Sequence, residues 1–340
     1  MGCNLRDLTT PHDVELGDFK GERVAVDAFL IAYQFITSLR ARGNGQDGGP
    51  LRDANGHPVS HLMGFLDRAT TMVGAGIDPV FVFDGRPHDL KRDTLAGRKK
   101  KKVAAKEKWD AAVESEDWDT AQKLGSQIAS FTPDMVAETR KMLDLLGIAN
   151  IEAPMEAEGA AAVRCARGEV AAVASQDWDT LLYGAPVMVR NLVSHGTKKF
   201  GRVVRAERVY LKELLDEHGI THKQLVDLGI MVGTDFHPGI RGIGPKTGLK
   251  LIREHGTLEE VCAIKKCEIP EKLDEIRALF LNHPASDLPL PNSGMCDEKG
   301  LRAMLVDGHN FSERRMTRAM DRMHNVGRLR SGGQTSLFDF

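Results

Sequence analysis

Val170-Ala171-Ala172-Val173-Ala174-Ser175-Gln176-Asp177-Trp178-Asp179-Thr180 is an apolar run without polar alternation that stops at an aspartate. Such a run reads as a strand buried on both faces, as in a parallel sheet. Two more runs end the same way, Val24-Ala25-Val26 at Asp27 and Val80-Phe81-Val82-Phe83 at Asp84. Helix-period stretches lie between them, over residues 28–40, 60–75, 134–146 and 158–167. The alternation predicts an α/β fold, a mostly parallel central sheet flanked by helices. Ligands of such sheets bind beyond the carboxyl ends of the strands. Three acids far apart in sequence are therefore expected in one cleft.

The 340 residues are 41% hydrophobic and 28% charged, enough for a sizeable core and against wholesale disorder. No window approaches ~18 consecutive apolar residues, so no membrane-spanning helix is expected. The first residues lack the apolar stretch of a signal peptide, and Arg6 stands where a myristoylation signal needs Ser or Thr. Five scattered cysteines without a C-x-x-C pair suit a reducing, intracellular compartment and argue against a disulfide framework or structural zinc. The net charge is only −2, but nine basic residues lie between Lys91 and Lys108, opposed by Asp93 and Glu107 alone. A second basic stretch holds Arg314, Arg315, Arg318, Arg322, Arg328 and Arg330. Blocks of this kind repel themselves unless they are solvated or meet a polyanion.

Residues 41–58, with five glycines and two prolines, read as a long surface loop. Residues 91–130 read as a helical excursion with few core-type side chains. The chain beyond about residue 220 reads as helical, residues 282–294 as an irregular crossover, and the last ten as a tail.

Seven acids stand out: Asp27, Asp84, Glu156, Glu158, Asp177, Asp179 and Asp235. A single Asp after a strand is most often a helix N-cap. Three strand-terminal aspartates joined by E-x-E and D-x-D partners ask for more. Glu156 and Glu158, two apart, share no helix face and converge only in an extended or first-turn geometry. So many carboxylates in one cleft repel each other unless cations neutralise them. Oxygen-only donors select hard ions such as Mg²⁺ or Mn²⁺. Two such ions about 3.5–4 Å apart suit in-line phosphoryl displacement, and the basic segment points to nucleic acid as substrate. Gly239-Ile240-Arg241-Gly242-Ile243-Gly244-Pro245-Lys246 is not a Walker loop, because Pro245 stands where Lys is required. It fits a glycine turn between two helices, the second offering N–H groups, Lys246 and Lys250 to phosphate. His218 and His222 have i,i+4 spacing, but Gly219 interrupts the helix, and they are given no metal role.

The chain resembles the structure-specific flap endonucleases of archaea and eukaryotes, from Leu5 through Phe340. The resemblance rests on Val26-Asp27-Ala28, Val82-Phe83-Asp84-Gly85-Arg86-Pro87, Ala153-Pro154-Met155-Glu156-Ala157-Glu158, Ser175-Gln176-Asp177-Trp178-Asp179-Thr180-Leu181-Leu182 and Val232-Gly233-Thr234-Asp235. It implies a PIN-like 5′-nuclease fold with a helical arch and a helix–hairpin–helix element. The seven acids then fall on the family's ligands for two Mg²⁺, with Mn²⁺ as substitute. Lys91 and Arg98 fall on the arch-base residues at the scissile phosphate. Tyr33 matches a base-stacking aromatic, Arg40 and Arg68 match DNA contacts, and Gly233, Gly242, Gly244, Lys246 and Lys250 belong to the duplex-binding hairpin, which in the family holds K⁺. Gln334, Leu337 and Phe340 resemble the motif that docks on the sliding clamp, proliferating cell nuclear antigen. The implied layout is a nuclease region over 1–98, an arch over 99–130, an intermediate nuclease region with the hairpin over 131–255, a helical region over 256–330 and a clamp-binding tail over 331–340. The implied protein is an intracellular monomer that removes 5′ flaps in replication and repair and also degrades 5′ ends. Met155, Ala157, Trp178 and Cys3 depart from the family's usual residues.

Two readings compete. Asp177-Trp178-Asp179-Thr180 satisfies the D-x-D-x-T motif of haloacid-dehalogenase-type phosphatases, with Asp177 as nucleophile. That motif normally follows a first strand, and the reading leaves the basic arm and glycine turn without a job. A non-catalytic DNA-binding module leaves the seven acids unexplained.

Overall fold

The computed structural model describes residues 3–43, 45–196, 198–199 and 202–327. The strands are β1 (His12–Val14), β2 (Arg23–Asp27), β3 (Asp78–Phe83), β4 (Asn150–Glu152), β5 (Ala172–Ala174), β6 (Val187–Arg190), β7 (Lys198–Lys199), β8 (Arg202–Val203) and β9 (Ala206–Tyr210). The helices run from α1 (Ala28–Ser38) and α2 (Ser60–Gly74) through α3 (Arg92–Glu114), α4 (Trp118–Leu124), α5 (Pro133–Leu145), α6 (Ala157–Ala166) and α7 (Asp179–Leu182). They continue as α8 (Leu211–His218), α9 (His222–Val232), α10 (Pro245–His255), α11 (Leu258–Lys265), α12 (Leu273–Leu281), α13 (Glu298–Arg302) and α14 (Glu313–His324). The described residues form two units, one drawn from within 3–30, 80–105 and 151–290, the other from within 31–79, 106–150 and 291–327.

The sheet has the order β1-β9-β6-β5-β2-β3-β4. β5 is parallel to both β2 and β6, with Val24 opposite Ala172 and Ala174 opposite Val189. The apolar residues of β2 and β5 are buried, as continuous Val/Ala runs require of a sheet covered on both faces. At one edge the direction reverses, β9 running antiparallel to β6 and β1 antiparallel to β9. α6 packs on β2 and β5, and its Ala157, Ala160, Ala161 and Ala162 are all buried. Small side chains there bring the helix close to the strand ends.

In the other unit α2 packs on α5 and α14. The long loop is less superficial than its composition predicts, for Gly48 and Gly49 are buried. A Cβ on Gly48, at φ +71°, would lie 2.5 Å from Gln122 Cα, so glycine is what lets the loop lie against α4. Residues 91–130 are helical and mostly exposed, yet a few of them pack inward. Ala105, Ala112 and Ala121 are buried, and Trp109 Nε1 donates to the Asp47 carbonyl at 2.7 Å. Alanine hides its contribution to a core because it packs closely without adding bulk. β5 is shorter than the apolar run around it, since the chain leaves the sheet after Ala174 to form the acidic loop.

Candidate active site

The first unit gathers the acidic segments at the strand ends. Asp27, the last residue of β2, is 7% exposed; its Oδ1 accepts the Leu30 N–H at 3.1 Å and its Oδ2 the Ser175 hydroxyl at 3.4 Å. Asp84 directly follows β3, and its Oδ1 accepts the N–H of Ala157, the first residue of α6, at 2.8 Å. Asp27 thus accepts a first-turn N–H of α1 as a helix cap does, whereas Asp84 accepts the first N–H of α6 from a distant segment of the chain. The next residue, Gly85, meets the Ala153 carbonyl so closely that a Cβ would lie 1.9 Å from it. Only glycine permits that approach, which brings the Asp84 turn to Glu156.

Glu156 is the N-cap of α6 in extended conformation, φ −76° and ψ 136°, and Glu158 lies in the first turn. This is the geometry their two-residue spacing requires. Ligand oxygens of Asp84, Glu156 and Glu158 all lie within 4.8 Å of one another. In the loop after β5, the Asp177 N–H donates to Ser175 Oγ at 3.2 Å and the Asp179 N–H to Asp177 Oδ1 at 3.1 Å. The Cys3 N–H donates to Asp179 Oδ1 at 2.8 Å. Trp178 is buried beneath the Arg190 guanidinium, 4.3 Å from its ring centroid, so this departure stiffens the acidic loop from behind.

Asp235 follows α9 and receives α3. Lys91 Nζ stands 3.1 Å from Asp235 Oδ2 and also pairs with Glu156; Arg98 Nη2 donates to Asp235 Oδ1 at 2.5 Å. Thr94 Oγ1 donates to the Asp235 main-chain carbonyl at 2.8 Å. Residues 91, 94 and 98 recur at helical spacing on one face. Thr94 was not singled out from the sequence, although its spacing from Lys91 and Arg98 was the signal that marks it.

Burial, then the charge of Asp84, pushes the Asp27 carboxyl up to about 7. Burial, opposed by the Ala157 N–H and reinforced by Glu156, holds Asp84 at about 6. Glu158 and Asp179 are raised well above the carboxylate range, chiefly by burial, with Asp27 and Asp177 respectively as the largest charges acting on them. Asp177 is raised by burial as well. For Asp235 burial also pushes upward, but Lys91 and Arg98 help carry it below its usual value. Opposed by burial, Glu156 and Asp235 raise the Lys91 ammonium above its own. Acids left this uncomfortable by burial and mutual repulsion fit positive ions, and an all-oxygen donor set fits hard divalent ones.

The glycine turn joins α9 to α10. Gly233 and Gly242 have positive φ, 117° and 84°, and Gly244 is the extended N-cap of α10. Lys246 and Lys250 are exposed on α10, Lys246 lying 3.4 Å from Asp7. His218 and His222 turn Nε2 to the carbonyls of Leu8 and Leu182, at 2.7 and 2.9 Å. In the second unit Tyr33 is 43% exposed on α1. Arg40 gives its Nη1 to the carbonyls of Gly48 and Gln122, at 3.2 and 2.7 Å, so it also holds the glycine-rich loop. Arg68 lies over Phe35, 5.5 Å from the ring centroid, in a cleft with Arg314, Arg315, Arg318 and Arg322. Gln334, Leu337 and Phe340 lie outside the described residues. No helix among the described residues is long and apolar enough to cross a membrane.

Residues 4–105 match the XPG N-terminal domain and residues 147–235 the XPG I-region. The chain is 37% identical over 343 residues to flap endonuclease 1 of Methanococcoides burtonii, covering 99% of both chains. Its structure is similar to that of flap endonuclease-1 from Methanococcus jannaschii, with a TM-score of 0.75 and 35% identity over 96% of this chain and 98% of that one. The catalytic core of Rad2 in complex with DNA substrate shares the fold at a TM-score of 0.69 and 22% identity, over 94% of this chain and 96% of that one. With acids at the strand ends, a basic helix leading out of them and full-length similarity of this order, the chain belongs to the flap endonuclease family of XPG-type nucleases.

Proposed function

We propose that Asp27, Asp84, Glu156, Glu158, Asp177, Asp179 and Asp235 hold two divalent cations, Mg²⁺ with Mn²⁺ as substitute, in a structure-specific 5′ flap endonuclease. The enzyme hydrolyses DNA phosphodiesters where a 5′ flap meets duplex, in replication and repair. The observation that carries the proposal is the oxygen cluster of Asp84, Glu156 and Glu158, with Lys91 bridging Glu156 and Asp235 beside it. When held by these carboxylates, two such cations would supply charge neutralisation for an in-line displacement. Lys91 and Arg98 donate to the scissile phosphate as its charge grows. Both are paired with carboxylates here, so an entering phosphate takes over donors that already point at the reaction centre. The basic residues of α3 draw in the single-stranded flap, and Tyr33 stacks on a terminal base. Arg40 and Arg68 add backbone contacts, Gly233, Gly242, Gly244, Lys246 and Lys250 contact duplex phosphates, and the backbone of the glycine turn would hold a K⁺ ion. Gln334, Leu337 and Phe340 dock the monomer on its sliding clamp.

The phosphatase alternative is set aside, since Asp177-Trp178-Asp179-Thr180 lies inside the XPG I-region match and Asp177 shares its cleft with other acids. The test is cleavage of a 5′-flap oligonucleotide with and without Mg²⁺, by the wild type and by Asp179→Asn. Cutting at the junction only with Mg²⁺, and a variant that binds duplex without cutting, is the expected result. Undiminished turnover by Asp179→Asn at saturating Mg²⁺ overturns the ligand assignment.

A further inference from the structure

Two cysteines meet where α11 ends. Lys266, just beyond the helix, adopts a left-handed conformation, φ 54° and ψ 43°. The Cys267 N–H then turns back to the Cys262 carbonyl at 3.1 Å. A helix closed by a left-handed residue and a six-to-one hydrogen bond brings together the side chains at the two ends of that bond. Here both residues are cysteines with free thiols. The Cys262 thiol also lies 3.5 Å from the Glu268 carbonyl. Cys262 is 1% exposed and Cys267 half-buried, so a reagent from solution reaches Cys267 first. The C-x₄-C spacing falls outside the C-x-x-C redox motif, so only the turn reveals the pair.

We propose that Cys262 and Cys267 form a reversible dithiol–disulfide pair that closes across the C-terminus of α11 and takes a low-molecular-weight disulfide as oxidant. The Cys267 thiolate attacks one sulfur of that disulfide; an S–S bond forms to Cys267 and the other half leaves as a thiolate. The Cys262 sulfur, giving up its proton to solvent base, then attacks the Cys267 sulfur and expels the second half. Two protein thiols are oxidised to one disulfide, and the reagent is reduced to two thiols that carry off the protons. In a reducing compartment the pair rests as the dithiol, as it stands here.

The start of α11 is already pinned. The Leu258 N–H donates to Asp227 Oδ2 of α9 at 3.2 Å, and Glu259 pairs with Arg277 of α12 at 2.6 Å. The other end depends on a lysine in a conformation that side chains disfavour. A disulfide there holds the turn closed and stiffens a helix that packs on both helices of the glycine turn.

The test uses the full-length, metal-free protein equilibrated with oxidised glutathione over a range of reduced glutathione, then alkylated and digested with trypsin. Lys265 and Lys266 lie inside the ring, so cleavage after them leaves two peptides joined until reduction. The expected result is that joined product, reversible by reduced glutathione, while Cys3, Cys165 and Cys296 remain alkylated thiols. The thermal midpoint should rise on oxidation of the wild type and stay unmoved in Cys267→Ser. A persistent glutathione adduct on Cys267 with no ring, or a pair still unreacted after exhaustive oxidation, overturns the proposal.

Discussion

Asp27 ends a buried strand and carries a carboxyl raised from 3.8 to about 7 by burial and by Asp84. Between those two values the folded chain binds a proton that the unfolded chain has lost. Metal-free stability attributable to this group therefore falls as pH rises from about 4 to about 7, and is level above that. Asp27→Asn removes the charge at nearly constant shape. It should raise metal-free stability at pH 8, by on the order of 2–4 kcal/mol for a shift this large, and by less than half as much at pH 5, where the folded carboxyl still holds its proton. The divalent-cation-induced rise in thermal midpoint should disappear in the same variant. Calorimetry at the two pH values, with and without Mg²⁺, checks both, and equal effects at the two pH values refute the assignment. Lys91 and Lys101 differ in the same residue-level way. Lys91 touches Glu156 and Asp235, whereas Lys101 lies exposed along α3. Lys91→Ala should lower the single-turnover rate by ~10²-fold or more, the scale of losing one preorganised donor. Lys101→Ala should act chiefly on substrate affinity at low salt. Matched losses of rate and affinity in the two variants would refute the division.

The first turn of α6 is set from behind by an aromatic cluster. A Cβ on Gly159 would lie 2.4 Å from the ring of buried His283. That ring packs edge-on against Tyr183 at 5.0 Å, Tyr183 against Phe280 at 4.8 Å, and Phe280 against Phe236 at 5.4 Å. Gly159 adjoins Glu158, the Tyr183 N–H bonds the Asp179 carbonyl at 2.9 Å, and Phe236 adjoins Asp235. One packed cluster thus fixes the backbone behind three of the acids. In an open helix Gly→Ala gains about 1 kcal/mol, but overpacking costs about 1–3 kcal/mol. With a rigid ring at 2.4 Å, overpacking wins. Gly159→Ala should destabilise the fold and raise the Mg²⁺ concentration needed for half-maximal cleavage, while binding of flap DNA in EDTA is retained. Adding His283→Ala makes room for the new methyl group and should recover part of both losses. A double variant worse than either single one would show that the ring does not set the turn.

Across the whole chain a net charge of −2 conceals a separation of signs, acids at the strand ends and basic residues on α3 and α10. Affinity for duplex should therefore depend steeply on salt. Lys246→Ala and Lys250→Ala should each reduce the slope of log affinity against log salt by about 1, the signature of one lost phosphate contact. Fluorescence anisotropy over a salt series measures it. An unchanged slope would mean that α10 does not face the duplex. Turnover at saturating substrate should change little, because neither lysine reaches the acidic cluster.

The strands ending at Asp27 and Asp84, the acidic loop of Asp177 and Asp179, the first-turn placement of Glu156 and Glu158, and the glycine turn before α10 were all legible in the sequence. Each depends on local conformational preference, and the rule that parallel strands present their carboxyl ends together turned local endings into a shared cleft. The partners of those residues were not legible. Lys91 spans from Glu156 to Asp235, Thr94 reaches the Asp235 carbonyl, and the Cys3 N–H holds Asp179, 176 positions away. Hydrophobic periodicity tells which face of an element is buried, but not which side chain lies opposite. The same limit hid the buried glycines of the 41–58 loop, the His283 ring behind Gly159 and the thiol at Cys267. Whether a glycine is needed, or a thiol has a partner, is decided by what the rest of the chain brings within a few ångströms of it.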